Sequence, residues 1–169
     1  FQIYMDFSGY TDMALGSARL FNIRLTQNFN SPYLATSVSD FWRRWHITLS
    51  RFLKDYLYIP LGGSRHGNTR RTINLMITML LCGIWHGAGW TFIVWGGIHG
   101  LFLMSAAYYR PLKKKMHEFI GWDASFFLKA WQTFFTFNLI AFAWIFFRAE
   151  NLSDAVYVVT HLARVLGQT

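Results

Sequence analysis

The sequence predicts an all-α fold, a polytopic integral membrane helical protein, and its 169 residues are expected to be a fragment of a larger bundle. Three observations lead there. The composition is 53% hydrophobic and 20% aromatic with only 14% charged, well outside the range of ordinary soluble domains. Long runs carry no formal charge and are long enough to cross a bilayer, which needs about 20 apolar residues. The charges that do occur gather at the borders of those runs. The chain opens on Phe1, without an initiator Met or a signal-peptide pattern, and so reads as cut from something longer.

The net charge of +8 is explained by its distribution. Arg43, Arg44, Arg51, Lys54, Arg65, Arg70 and Arg71 face only Asp55 in the stretch 41–71, and Arg110 with Lys113, Lys114 and Lys115 follows the longest uncharged run. Basic residues bordering hydrophobic segments fit the positive-inside rule. They exclude nucleic acid as the expected partner and point to membrane lipid.

The elements follow in order. Residues 1–25 are expected to be a helix, apolar but carrying Asp6, Asp12, Arg19 and Arg24. Carboxylates in such surroundings are costly unless paired, so Arg19, Arg24 or an arginine of a neighbouring helix is the expected partner. Pro32, within Asn30-Ser31-Pro32-Tyr33, marks a turn. The segment 38–59 is the clearest amphipathic helix, because Val38, Phe41, Trp42, Trp45, Leu49, Phe52, Leu53 and Tyr56 recur at three- and four-residue steps. Asp40, Arg43, Arg44, Arg51 and Lys54 take the other face. Ser37 or Ser39 is available as N-cap, and Pro60-Leu61-Gly62-Gly63 supplies the stop. This helix is expected to lie in the headgroup layer rather than span.

Residues 72–109 are uncharged and too long for one crossing, so they are expected to form a helical hairpin or kinked spans that break near Gly87-Ala88-Gly89. The basic residues at both ends then share one face, the cytoplasmic one by the charge rule. A transmembrane helix over 130–147 ends at Arg148, and a further helix over 152–166, capped by Asn151 or Ser153, falls on the opposite side. No internal repeat is visible, and the single cysteine excludes an internal disulfide.

His86 is the leading candidate for chemistry. It lies in Gly83-Ile84-Trp85-His86-Gly87-Ala88-Gly89-Trp90, inside the uncharged stretch, where an ionisable group is functional by default. The competing reading is a neutral histidine bonding between helices. Neighbouring glycines allow close backbone approach, and the tryptophans can wall a pocket. His46 sits at the edge of the amphipathic stripe, one turn from Trp42 and Leu49, and reads more readily as an interfacial residue than as a catalyst. His99 is a third intramembrane candidate with no evident partner. His66, His117 and His161 read as solvated.

Cys82 as an acyl relay is weaker than Cys82 as core. Arg43-Arg44 fits lipid phosphates ahead of a donor's phosphates. No metal-ligand spacing, P-loop or hydrolase elbow is present, so no bound cofactor is expected. A buried histidine suits general-base activation of a hydroxyl against a donor that arrives already activated as a thioester.

Several runs taken together carry a resemblance. Tyr4-Met5-Asp6-Phe7-Ser8-Gly9-Tyr10-Thr11-Asp12, Asn28-Phe29-Asn30-Ser31-Pro32-Tyr33, Asp40-Phe41-Trp42-Arg43-Arg44-Trp45-His46, Asp55-Tyr56-Leu57-Tyr58-Ile59-Pro60-Leu61-Gly62-Gly63, Trp85-His86-Gly87 and Phe146-Phe147-Arg148-Ala149-Glu150-Asn151 resemble the membrane-bound O-acyltransferase family. They look most like its bacterial branch of alginate O-acetyltransferases and related teichoic acid D-alanine transferases.

The resemblance implies a multi-pass protein of the bacterial inner membrane, with His86 as the essential histidine and His46 as the second site residue in a tunnel through the membrane. It implies a cytoplasmic acyl thioester donor, acetyl-CoA or an acyl carrier protein. It also implies an extracytoplasmic acyl-acceptor or transfer protein, and a polysaccharide such as alginate as final acceptor. D-alanyl transfer to teichoic acid, a membrane transporter and a non-catalytic envelope scaffold are the alternatives.

Overall fold

The computed structural model describes residues 1–120 and 126–167, with the side chains of 110–120, 163 and 166 outside the description. The expectations placed on Arg110, Lys113, Lys114, Lys115 and His117 therefore fall outside the described side chains. Among the described residues every regular element is helical. The order is α1 (Gln2–Leu20), a single 3₁₀ turn (Pro32–Leu34), α2 (Val38–Arg44), α3 (Ile47–Leu53), a π-turn (Lys54–Tyr58), α4 (Gly67–His86), α5 (Trp90–Ile120), α6 (Phe126–Arg148) and α7 (Leu152–Leu166).

α4 and α5 form an antiparallel pair that reverses at Gly87–Gly89. Their closeness is set by glycine. A Cβ on Gly83 would strike the Phe92 carbonyl oxygen, and one on Gly96 would strike the Met79 carbonyl oxygen, so each helix uses its missing side chain to admit the other's backbone. Around this contact Met79, Cys82, Trp95 and Ala143 make a buried cluster. Cys82 is wholly enclosed there, in the core position expected for it, with no path for a relay.

α5 buries Thr91, Trp95 and His99 at four-residue steps, and α6 buries Thr136, Ile140 and Ala143 along one stripe. The first half of α6 turns large aromatic side chains outward: Phe127, Trp131, Phe134 and Phe135 are exposed. Exposed aromatic surface of that extent suits lipid or further helices, not water. Two helices, over Trp90–Tyr109 and Phe126–Arg148, are long and apolar enough to cross a membrane. α4 is of similar length but begins with Arg70 and Arg71 and buries the polar Asn74 and Thr78, so the first arm of the expected hairpin is the less apolar one.

The second core joins α2 to α6. Ala35, Val38, Phe41, Trp45 and Ile140 are buried together, with Tyr4 and Phe7 of α1 packed against them. Trp45 is its hub, its ring lying within 6.5 Å of Tyr4, Phe7, Phe29, Tyr33, Phe41 and Trp144.

Three expectations are corrected. The helix expected over 1–25 ends at Leu20, where Asn22 turns to φ 59 and the chain runs on extended. Asp6 and Asp12 are exposed, and among the described residues no ion pair joins either to Arg19 or Arg24. The single amphipathic helix expected over 38–59 is broken: α2 stops at Arg44, α3 starts at Ile47, and the last turn is π-wound. Ser37 caps α2 by accepting from the Asp40 N–H at 3.1 Å, and Asn151 caps α7 by accepting from the Asp154 N–H at 2.9 Å.

Candidate functional site

The break between α2 and α3 carries His46. Its backbone lies at φ 42, ψ 58, the left-handed region that non-glycine residues seldom enter. The residue ends one helix direction and begins another, and its side chain caps neither. The imidazole turns instead toward α1 and the end of α4, edge-on to Phe7 at 4.8 Å between ring centres and 6.4 Å from Trp85.

His86 arrives from the other side as the last residue of α4. Its ring stands edge-on to Trp85 at 4.9 Å, Trp95 at 5.2 Å and Phe147 at 5.1 Å, and lies stacked on Phe92 at 6.3 Å. Three helices thus build an aromatic box around one imidazole. Both histidines are half-buried, and neither has a hydrogen-bond partner for its side chain among the described residues. The two rings are neighbours across Trp85, which lies 6.4 Å from His46 and 4.9 Å from His86 between ring centres. Burial first, and then His86, pushes the His46 imidazole down to about 4, so it is neutral at physiological pH.

His99 behaves differently from both. It is wholly buried, and the Trp42 indole N–H donates to its Nδ1 at 3.2 Å. No partner for it is evident from the sequence; the packing of α2 against α5 supplies Trp42. Among the described residues the His99 Nε2 has no partner, and neither does the buried Trp95 Nε1. His66 and His161 are exposed, the latter stacked on Tyr157 at 5.7 Å.

Arg44 is committed within the protein, its Nε 2.9 Å from Asp40 Oδ2, whereas Arg43 reaches the same carboxylate at 3.4 Å with most of its side chain exposed. Of the arginine pair, only Arg43 is free to meet a lipid phosphate.

Two hollows accompany these residues. The larger, of about 490 Å³, lies beyond the end of α1 between Arg19 and Leu25, away from both imidazoles. The smaller, of about 140 Å³, is a groove between α1 and residues 27–29, lined by Ser8, Thr11, Asp12, Gln27 and Asn28 with Tyr4 and Phe29. Phe29 also touches Phe7, the ring against which His46 rests.

Sequence reasoning missed Asn28. Its main-chain oxygen accepts from the Ile47 N–H at 3.0 Å, and its Oδ1 accepts from both the N–H and the hydroxyl of Thr48, at 3.1 and 2.6 Å. The residue stood in view within Asn28-Phe29-Asn30-Ser31-Pro32-Tyr33. What concealed its role was the assumption of an unbroken helix, which leaves no orphan N–H at Ile47 or Thr48 to be satisfied.

Among the described residues the chain is all-helical, with outward aromatic surface, two helices apolar and long enough to span, and two imidazoles without hydrogen-bond partners at a helix end and a helix break, an arrangement suited to a membrane protein. Residues 1–147 match the model of MBOAT, the membrane-bound O-acyltransferase family, and the chain belongs to that family. It is 51% identical over 99% of its length to a peptidoglycan O-acetyltransferase of Helicobacter pylori, covering 30% of that protein. It is 48% identical over 91% of its length to a probable alginate O-acetylase of Azotobacter vinelandii, covering 29% of that protein. A teichoic acid D-alanyltransferase of Streptococcus thermophilus is 29% identical over 87% of the chain. The chain therefore spans about 30% of the length of these two O-acetyltransferase relatives.

Proposed function

We propose that the whole protein is an O-acyltransferase of the bacterial inner membrane, crossing it several times. It moves an acetyl group from a cytoplasmic thioester, acetyl-CoA or an acyl carrier protein, to a hydroxyl on the outer side. The final acceptor is a cell-surface polysaccharide, a class that includes peptidoglycan and alginate, reached through an extracytoplasmic acyl-acceptor or transfer protein. The observation that carries this reading is the pair of half-buried, hydrogen-bond-free imidazoles of His86 and His46, adjacent and walled by Phe7, Trp85, Trp95 and Phe147.

The chemistry needs little more. His86 takes the proton of the acceptor hydroxyl as its oxygen attacks the thioester carbonyl. The carbon–sulfur bond breaks, and the departing thiolate recovers the proton from the imidazolium. His46, neutral, holds a reacting oxygen by hydrogen bond without placing a second cation beside the one forming on His86. The aromatic walls exclude water, which would otherwise compete for the acyl group.

Acetyl transfer is favoured over D-alanyl transfer by the nearer likeness to O-acetyltransferases, 51% and 48% against 29%. The test is complementation. Cells lacking the native enzyme receive the full-length protein with His86 or with His86→Ala, and polysaccharide O-acetylation is measured at matched membrane levels. Loss of acetylation in the variant alone is the expected result. Retained acetylation removes His86 from the mechanism, and no acetylation with His86 intact points to another acyl group or acceptor.

A further inference from the structure

We infer that Asn28 is a positioning residue for His46: its side-chain and main-chain oxygens hold open the break between α2 and α3 that turns the imidazole toward Phe7 and His86. The inference rests on the acyltransferase reading above for its kinetic consequence, and on geometry alone for its structural one.

The argument begins with the bonds that a broken helix loses. Were 38–53 continuous, as its hydrophobic repeat invites, the Ile47 and Thr48 N–H groups would bond back to Arg43 and Arg44. At the break those donors and the Arg44 carbonyl lose their helical partners and must be met by another part of the chain or by solvent. Residues 28–30 meet them from outside. Asn28 accepts from Ile47 and Thr48, while the Asn30 N–H donates to the Arg44 carbonyl at 3.0 Å. The segment 28–30 thus bridges the end of α2 and the start of α3.

A residue at the N-cap position ordinarily folds its own side chain onto the second or third helical N–H. Here the position belongs to His46, and Asn28 supplies that acceptor in its place. The imidazole is released from capping and projects to the α1 side, edge-on to Phe7 at 4.8 Å. In a continuous helix it would lie along the stripe shared with Trp42 and Leu49, one turn from each. A left-handed histidine is held only where its surroundings outweigh the strain, and Asn28 restrains the two residues that follow His46.

Since only the oxygen of the amide is used, Asn28→Asp retains the latch, while Asn28→Leu removes its side-chain half and leaves the main-chain bond to Ile47. Thr48→Val removes the 2.6 Å hydroxyl contact alone and serves as the milder variant should Asn28→Leu fold poorly. The full-length protein, labelled at its histidine rings and reconstituted in lipid nanodiscs, is examined by NMR. The His46 ring protons are expected to show the ring-current shift of an imidazole packed on Phe7, identified by its loss in Phe7→Leu. That shift should vanish in Asn28→Leu, weaken in Thr48→Val and persist in Asn28→Asp.

In parallel, acetyl transfer is expected to lose about 10- to 100-fold in kcat with KM little changed in Asn28→Leu, and to recover in Asn28→Asp. A ring-current shift unaltered in both Asn28→Leu and Thr48→Val overturns the latch. A shift lost while kcat is unchanged overturns the positioning role. If the native protein transfers no acetyl group, the functional reading has failed, and the NMR comparison still decides whether Asn28 places His46.

Discussion

The two histidines reach the same place by opposite means. His86 ends a regular helix whose position is set by backbone contact, Gly83 and Gly96 letting α4 and α5 touch with no side chain between them. His46 sits where a helix fails, in a left-handed conformation, held by hydrogen bonds from residues 28–30. The first arrangement is rigid because steric contact is short-ranged and steep. The second is directional, because hydrogen bonds specify an orientation but yield when one partner is lost. A group that must accept a proton in the transition state gains from the rigid mount; a group that orients a reacting oxygen can sit on the directional one.

Substitutions separate the two mounts, the largest effects falling on the His86 side. His86→Ala should lower acetyl transfer about 10²- to 10⁴-fold, the usual contribution of a general base, with membrane levels unchanged. Gly83→Val should drive Cβ into the Phe92 carbonyl and destabilise the hairpin by about 1–3 kcal/mol or more. A thermal unfolding midpoint equal to that of the native protein would show that α4 and α5 are not pressed together there.

On the other mount, His46→Gly should cut turnover while leaving stability within about 1 kcal/mol of native, because glycine accepts φ 42 without strain. His46→Ala should be the less stable of the two, and equal unfolding midpoints would mean the left-handed backbone is not strained. pH gives a finer probe. The unfolded chain takes up a proton at His46 near pH 6.5, but the folded one only near 4, so stability falls as pH drops through that window. His46→Gln should flatten this part of the midpoint-against-pH curve. An identical slope would show that His46 is not held neutral by the fold. The smallest effect belongs to Arg43, whose exposed pair with Asp40 is screened by solvent: Arg43→Ala should change stability by less than about 1 kcal/mol.

Much of the helical order was open to sequence reading because it follows from local chemistry. The uncharged stretch from Thr72 to Tyr109, interrupted by Gly87-Ala88-Gly89, leaves two helices and one reversal as the economical solution. Ser37 and Asn151 announce helix starts through their own side chains. His86 stood out because an imidazole inside such a stretch has few neutral explanations.

What the sequence misdirected was the stretch 38–59. Its three- and four-residue repeat of large apolar side chains is what a continuous amphipathic helix requires, and nothing local contradicts it. The break at Trp45–His46 exists because Asn28 and Asn30 satisfy its orphaned groups and because Trp45 sinks into the cluster of Tyr4, Phe29, Phe41 and Trp144. Those partners are distant in the chain, and no periodicity reports them.

The sequence by itself therefore determined the class of the protein and most of its helices, since hydropathy and charge act residue by residue, and it singled out His86 as a candidate; His46 became one only through the family resemblance. Only the tertiary structure decided that the two imidazoles are neighbours, that His99 is bonded to Trp42, and that Asn28 belongs with His46. Each of these is a meeting of side chains fixed by packing and by hydrogen bonds across long separations, and neither leaves a mark on local pattern.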